Sequence, residues 1–254
     1  MGYQNISIEV ASGVARLTLK RPPLNVLNIA MMREVNAALD GLDQAATKVL
    51  VFAAEGKAFS AGVDVSEHTA DKVNEMLEVF HGIFRRLDQM DMPTLAVVQG
   101  AALGGGCEVA LFCDLVVASE KAKFGQPEIK VGVLPPIAAA ILPRLAPHKK
   151  ALELLLTGET IDAAEAYRLG LVNRVVPVEQ LSAAADEMIG KLTALSGVVL
   201  RMTRRAARLG GQGAFDQALG QVESLYLNEL MKTQDANEGL AAFLEKRVPV
   251  WKDS

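Results

Sequence analysis

Apolar side chains along this chain switch repeatedly between the spacing of a strand and that of a helix. Val14 to Leu19 reads as a strand entered from the Ser12-Gly13 turn. Asn28 can cap a helix whose apolar positions Met31, Met32, Val35, Leu39 and Leu42 keep helical spacing. The apolar run from Lys48 to Ala53 predicts a strand buried in a sheet. Beyond a loop between Gly56 and Gly62, the stretch from Asp71 to Met90 puts Val73, Leu77, Phe80, Phe84 and Leu87 on one face, which predicts a long amphipathic helix. Pro93 opens a short β-rich run from Thr94 to Val98. A glycine-rich turn from Gly100 to Gly106 then hands a strand over to a helix, and Asp114 to Ser119 is the next strand.

This order argues for an α/β unit with parallel crossovers rather than a sandwich. From Ala146 onward the pattern turns almost entirely helical: Lys149 to Leu156, Ala163 to Leu169, Val178 to Leu195, and Val198 to Arg247 with breaks at Gly210, Gly211 and Gly213. The expectation is an α/β core over residues 1–195 with a helical region over 196–254. With 254 residues and half of them hydrophobic, the chain has ample apolar surface for a core and is neither disordered nor fibrous.

Charge and cysteine usage narrow the function classes. A net charge of −4 offers no basic footprint for nucleic acid. The exception, Arg201, Arg204, Arg205 and Arg208, has the spacing of one solvated helix face. Cys107 and Cys113 suit neither a zinc clip nor a redox pair and read as buried free thiols. His68, His81 and His148 form no ligand pattern, so no metal is expected. No stretch reaches the roughly 18 apolar residues that span a bilayer. The first residues carry no targeting pattern, so the reading is cytoplasmic.

Three consecutive glycines, Gly104 to Gly106, open a predicted helix although each costs about 0.5–1 kcal/mol relative to alanine. Two explanations stand side by side: close packing against another backbone, or helix amides presented to negative charge on a ligand. The run matches neither a phosphate loop nor a dinucleotide fingerprint. Glu108 follows one turn later, and Glu128 lies in Phe124-Gly125-Gln126-Pro127-Glu128 after the intervening strand. If the chain goes up the helix and back along the strand, the two carboxyls converge beside the glycine amides and supply an acid and a base. The alternative is that either glutamate is a surface charge.

Three segments in order are similar to those of the enoyl-CoA hydratase/isomerase, or crotonase, family: Ala58-Phe-Ser-Ala-Gly-Val63-Asp-Val65, Gly100 through Asp114, and Phe124 through Gly132. The resemblance continues through Leu156-Thr-Gly-Glu159, Ala166 to Val172 and Ala242 to Arg247, and so covers essentially the whole chain. It implies a spiral of ββα repeats whose C-terminal helices build a homotrimer, often paired into a hexamer, and acyl-CoA thioesters as substrates. No separate cofactor is implied, because CoA is part of the substrate. By the same resemblance the amides of Val63 and Gly105 form an oxyanion hole, Glu108 activates water and Glu128 delivers a proton. Possession of both glutamates favours a hydratase over an isomerase, and a non-catalytic or RNA-binding member is disfavoured. Asp114 matches a residue with either a structural or a catalytic role. Ala61 and Val63 match positions that grip the adenine through backbone groups, and Lys246 matches a lysine that approaches the CoA phosphates. Lys20, Arg21 and Lys57 are further cationic candidates.

Two segments depart from the common pattern. Where a glycine is usual the chain has Pro136, within Gly132-Val-Leu-Pro-Pro136-Ile137-Ala138-Ala-Ala140, and proline has no N–H to hold a water. The other is Arg21-Pro22-Pro23-Leu24-Asn25-Val26-Leu27-Asn28. Both resemble the branch that hydrates cyclohexa-1,5-diene-1-carbonyl-CoA, with short-chain enoyl-CoA hydratases as the alternative.

Overall fold

The computed structural model describes residues 2–211 and 214–254. In chain order the elements are β1 (Ile6–Ala11), β2 (Val14–Leu19), α1 (Ile29–Asp40), β3 (Val49–Ala54), α2 (Val73–Gln89), β4 (Thr94–Val98), β5 (Ala101–Leu103), α3 (Gly105–Phe112), β6 (Leu115–Ser119), β7 (Lys123–Gly125), α4 (Pro136–Leu145), α5 (His148–Thr157), β8 (Thr160–Asp162), α6 (Ala163–Arg168), β9 (Arg174–Val176), α7 (Leu181–Thr193), α8 (Gly197–Gly210), α9 (Phe215–Asn228) and α10 (Gln234–Glu245).

Six strands form one sheet in the order β1-β2-β3-β4-β6-β9, and β5-β7-β8 form a second, smaller one. The β1–β2 hairpin is antiparallel, and every other pairing in the large sheet is parallel. Ser12 and Gly13 both have positive φ, the two-residue geometry that suits a tight hairpin. Alternation along the strands sends residues to two faces. Leu50, Phe52, Ala96 and Val98 pack with α1, α2 and α3, whereas Val49, Val51, Leu95 and Val97 pack with Leu181, Ala184, Ala185 and Ile189 of α7.

The chain advances by repeats of long strand, short strand and helix. Strands β4 and β5 lead into α3, and β6 and β7 lead towards α4. In earlier repeats the short strand shrinks to isolated bridges, Leu27 with Val63 and Ser60 with Ala102. This is the spiral of ββα repeats that the family resemblance implies. Asn28 caps α1, its side chain accepting from the Met31 N–H at 3.0 Å.

Several readings from pattern are corrected. The hairpin strand β1 escaped notice because Val10 and its neighbours are exposed and carry no core alternation. Strands β8 and β9 interrupt the region expected to be helical; at three residues each they are too short for a period to show. Helix α4 was hidden by its prolines. The C-terminal helices also break between Asn228 and Gln234, where a short 3₁₀ turn intervenes, whereas Gly213 lies outside the described residues.

The arginine face of α8 is solvated at Arg205 but not at Arg204. Arg204 is buried: its Nε donates to Asp114 Oδ2 at 2.7 Å and its Nη1 to the Met90 carbonyl. Arg208 pairs with Asp88, and Arg205 with Glu229 at 2.7 Å. The spacing marked a helix stripe, but its partners come from distant segments. Both cysteines are buried and free. Among the described residues no helix is long and apolar enough to cross a membrane.

Candidate active site

The glycine run closes a strand-to-helix corner. Gly104 has φ 50° and ψ −128°, a conformation that only glycine adopts readily, and a Cβ there would lie 2.6 Å from Glu128 Oε1. A Cβ on Gly106 would meet the Ser60 carbonyl at 2.5 Å, and one on Gly105 would meet Val63 Cγ2 at 2.7 Å and Phe80 Cζ at 2.9 Å. Packing therefore accounts for Gly105 and Gly106, and the approach of a carboxylate for Gly104.

The same contacts place Val63 against Gly105. Val63 follows Gly62, which has φ 102°, as Gly105 follows Gly104. These two glycines set the peptide planes that carry the Val63 and Gly105 N–H groups. Among the described residues neither N–H donates to a protein acceptor, whereas the flanking Gly62, Asp64 and Gly104 amides donate to Ser60 Oγ, the Leu27 carbonyl and the Gly125 carbonyl. The loop carrying Val63 is anchored by Asn25, which the sequence reading passed over. Its buried amide donates to the Glu55 and Ala58 carbonyls at 2.8 and 2.9 Å, and its own carbonyl accepts from Ser60 Oγ.

Glu108 and Glu128 converge on this corner. Glu108 is 2% exposed, one turn into α3, and its Oε1 accepts the Ala138 N–H at 2.7 Å. Burial pushes its carboxyl up to about 8; the Ala138 N–H opposes the rise, the Glu128 charge adds to it, and the Ile137 N–H opposes it. Glu128, in the 3₁₀ turn Pro127–Val131, is also raised by burial, and its buried Oε2 has no hydrogen-bond partner. Two close carboxyls in one dry site titrate as a unit. The holding amides of α4 were not legible, since nothing near Ala138 marks it as a partner of a residue thirty positions earlier.

A pH dependence of stability follows. Glu108 has a folded pKa above its unfolded value of 4.5, so its contribution is favourable below about 4.5 and is lost as pH rises towards about 8. Thermal unfolding of the wild type is expected to lose roughly 2–5 kcal/mol across that window relative to Glu108→Gln. Parallel pH curves for the two proteins would contradict the burial argument.

The remaining candidates are distributed differently. Asp114 is a structural tie: Oδ2 accepts from the Thr94 N–H, Thr94 Oγ1 and Arg204 Nε, joining the end of α3 to β4 and α8. Ala61 donates its N–H to the Leu24 carbonyl at 2.9 Å. Arg21 donates to the Val26 carbonyl and lies 3.9 Å from Asp64, beside Val63. Lys20 pairs with Glu55 at 3.0 Å, and Lys57 is exposed. Lys246 closes α10, which packs on α8 and on the turn before it, and it is not gathered with the glutamates.

On a spiral α/β frame, the buried Glu108 and the half-buried Glu128 stand beside the unpartnered Val63 and Gly105 amides. Comparison with known proteins places the chain in a family. Residues 9–254 match the model of the enoyl-CoA hydratase/isomerase family. The cyclohexa-1,5-dienecarbonyl-CoA hydratase of Thauera aromatica is 41% identical over 251 residues, covering 97% of this chain and 95% of that protein. The crotonyl-CoA hydratase of Syntrophomonas wolfei is 37% identical, with 97% of each covered. A crystal structure of an enoyl-CoA hydratase from Mycobacterium smegmatis superposes with a TM-score of 0.92 at 31% identity, covering 98% of this chain and 99% of that one. The chain belongs to the enoyl-CoA hydratase/isomerase family.

Proposed function

We propose that this protein is an acyl-CoA hydratase that adds water across a double bond conjugated to the CoA thioester. The observation that carries the reading is the meeting of the buried Glu108 and the half-buried Glu128, whose Oε2 is buried, with the free N–H groups of Val63 and Gly105. With one proton between the carboxyls, the α4 amides favour the negative charge on Glu108, and the unpartnered Oε2 favours the proton on Glu128. Glu108 takes a proton from water as its oxygen bonds to the β-carbon. The π electrons move onto the thioester oxygen, which the Val63 and Gly105 amides hold as an enolate. Glu128 then gives its proton to the α-carbon, and the thioester carbonyl re-forms.

The ring substrate cyclohexa-1,5-diene-1-carbonyl-CoA is supported by the relative from Thauera aromatica and by the apolar first turn of α4, where Ile137 packs on the core. A linear short-chain enoyl-CoA is the second reading, supported by the relative from Syntrophomonas wolfei. Ala61, Val63, Arg21, Lys20 and Lys246 are the proposed CoA contacts. A homotrimer, or a hexamer of paired trimers, is proposed to cover the exposed Phe215, Leu227, Phe243, Leu244 and Val248 of the 196–254 region.

The test is turnover of crotonyl-CoA and of the cyclic dienoyl-CoA, side by side, in ¹⁸O-labelled water. The expected result is one labelled hydroxyl in the product, with the cyclic substrate preferred. A shifted double bond without label would make the protein an isomerase, and failure to bind either thioester would remove the enzymatic reading.

A further inference from the structure

Helix α4 begins without a capping side chain from the loop before it. The first four amides of any helix lack intrahelical acceptors, and each buried one needs a partner. In α4 the first of the four, at the cap position, is Pro135, which has no N–H. Pro136, at the first position, has no N–H. The Ala138 amide donates to Glu108 Oε1 at 2.7 Å, and the neighbouring Ile137 amide favours the same carboxylate. The ordinary helix bonding then starts, with the Ala139 N–H donating to the Pro135 carbonyl at 2.9 Å. The cap of α4 is therefore Glu108, delivered from α3.

We propose that Pro136 is a positioning residue for Glu108: by fixing φ and withholding an N–H at the first position of α4, it limits the carboxylate to the amides that follow, of which Ala138 donates at 2.7 Å. The inference rests on the reading of Glu108 as the base. A carboxylate held by one more helix amide is a weaker base, because each donor stabilises the charged form. Proline thus keeps Glu108 oriented without quenching it. The prolines of α4 have separate jobs on this view, since Pro143 lies inside the helix and far along it from the cap.

The experiment is a ¹³C NMR titration of the labelled Glu108 carboxyl in the wild type, Pro136→Ala and Pro143→Ala, with the pH profile of kcat measured alongside. Alanine at position 136 restores the amide in a position that favours helix; Pro136→Gly supplies the same amide if the first variant folds poorly. The expected result is a fall of about one unit in the Glu108 titration of Pro136→Ala, matched by the acidic limb of the kcat profile, with KM little changed. Pro143→Ala, which restores an interior helix bond, leaves both where they are. An unshifted titration in Pro136→Ala, or an equal shift in Pro143→Ala, overturns the proposal. Full activity of Glu108→Gln would instead remove the base assignment, while the titration still reports whether position 136 sets the donor count.

Discussion

Glu128→Gln is expected to lower kcat by about 10²–10⁴-fold with the fold intact. The substitution keeps the shape of the side chain over Gly104 but has no acidic proton to give the α-carbon. The site tolerates an uncharged group well: Glu128 is raised by burial, and its Oε2 already lies buried without a partner. The thermal midpoint should therefore hold or rise, most clearly at high pH where the wild type carries the desolvated charge. Steady-state turnover together with thermal unfolding separates the two effects. Unchanged turnover would remove Glu128 as the acid, and lost folding would assign the residue to structure instead.

The second large effect concerns the amide pair. In Gly105→Ala the new methyl would press on Val63 Cγ2 and Phe80 Cζ, both ends of side chains that can shift. The expected cost in stability is about 1–3 kcal/mol, that of modest overpacking. The shift moves Val63, and with it one of the two donors, away from the other. A loss of about 10²–10³ in kcat is expected, with KM changed little, because the donors act on charge that appears in the transition state. Gly106→Ala provides the contrast. There the methyl meets the Ser60 backbone carbonyl, which cannot yield, so failure to fold is the expected outcome. A fall in KM-dependent binding alone for Gly105→Ala would place the thioester oxygen elsewhere.

Much of this arrangement was legible in the sequence, and the reasons are local. The glycine triplet advertised a backbone under unusual demand, and the separation of Glu108 from Glu128 matched one helix followed by one returning strand, so their convergence followed from chain direction. The period of α2 was readable because Phe80, Phe84 and Leu87 face a single core. What stayed hidden depends on partners far apart in the chain. Arg204 looked like one of four surface charges, yet it is buried against Asp114 and the end of α2. Asn25 carries no signal of its own, yet it ties its loop to Glu55, Ala58 and Ser60 in the stretch that leads to Val63. Helix α4 carries no pattern of its own before Ala146, because the acceptor that lets a helix start there is a carboxylate supplied from α3. Three-residue strands such as β8 and β9 exist only through their pairing and leave no period of their own.

The central claim is geometric, and a crystal structure with an unreactive acyl-CoA analogue tests it most directly. The thioester oxygen is expected roughly 2.7–3.1 Å from both the Val63 and the Gly105 nitrogens, with the Glu108 and Glu128 carboxyls flanking the carbons that correspond to the double bond. A thioester bound with its oxygen away from these amides, or with its α- and β-carbons out of reach of either carboxyl, would contradict the account.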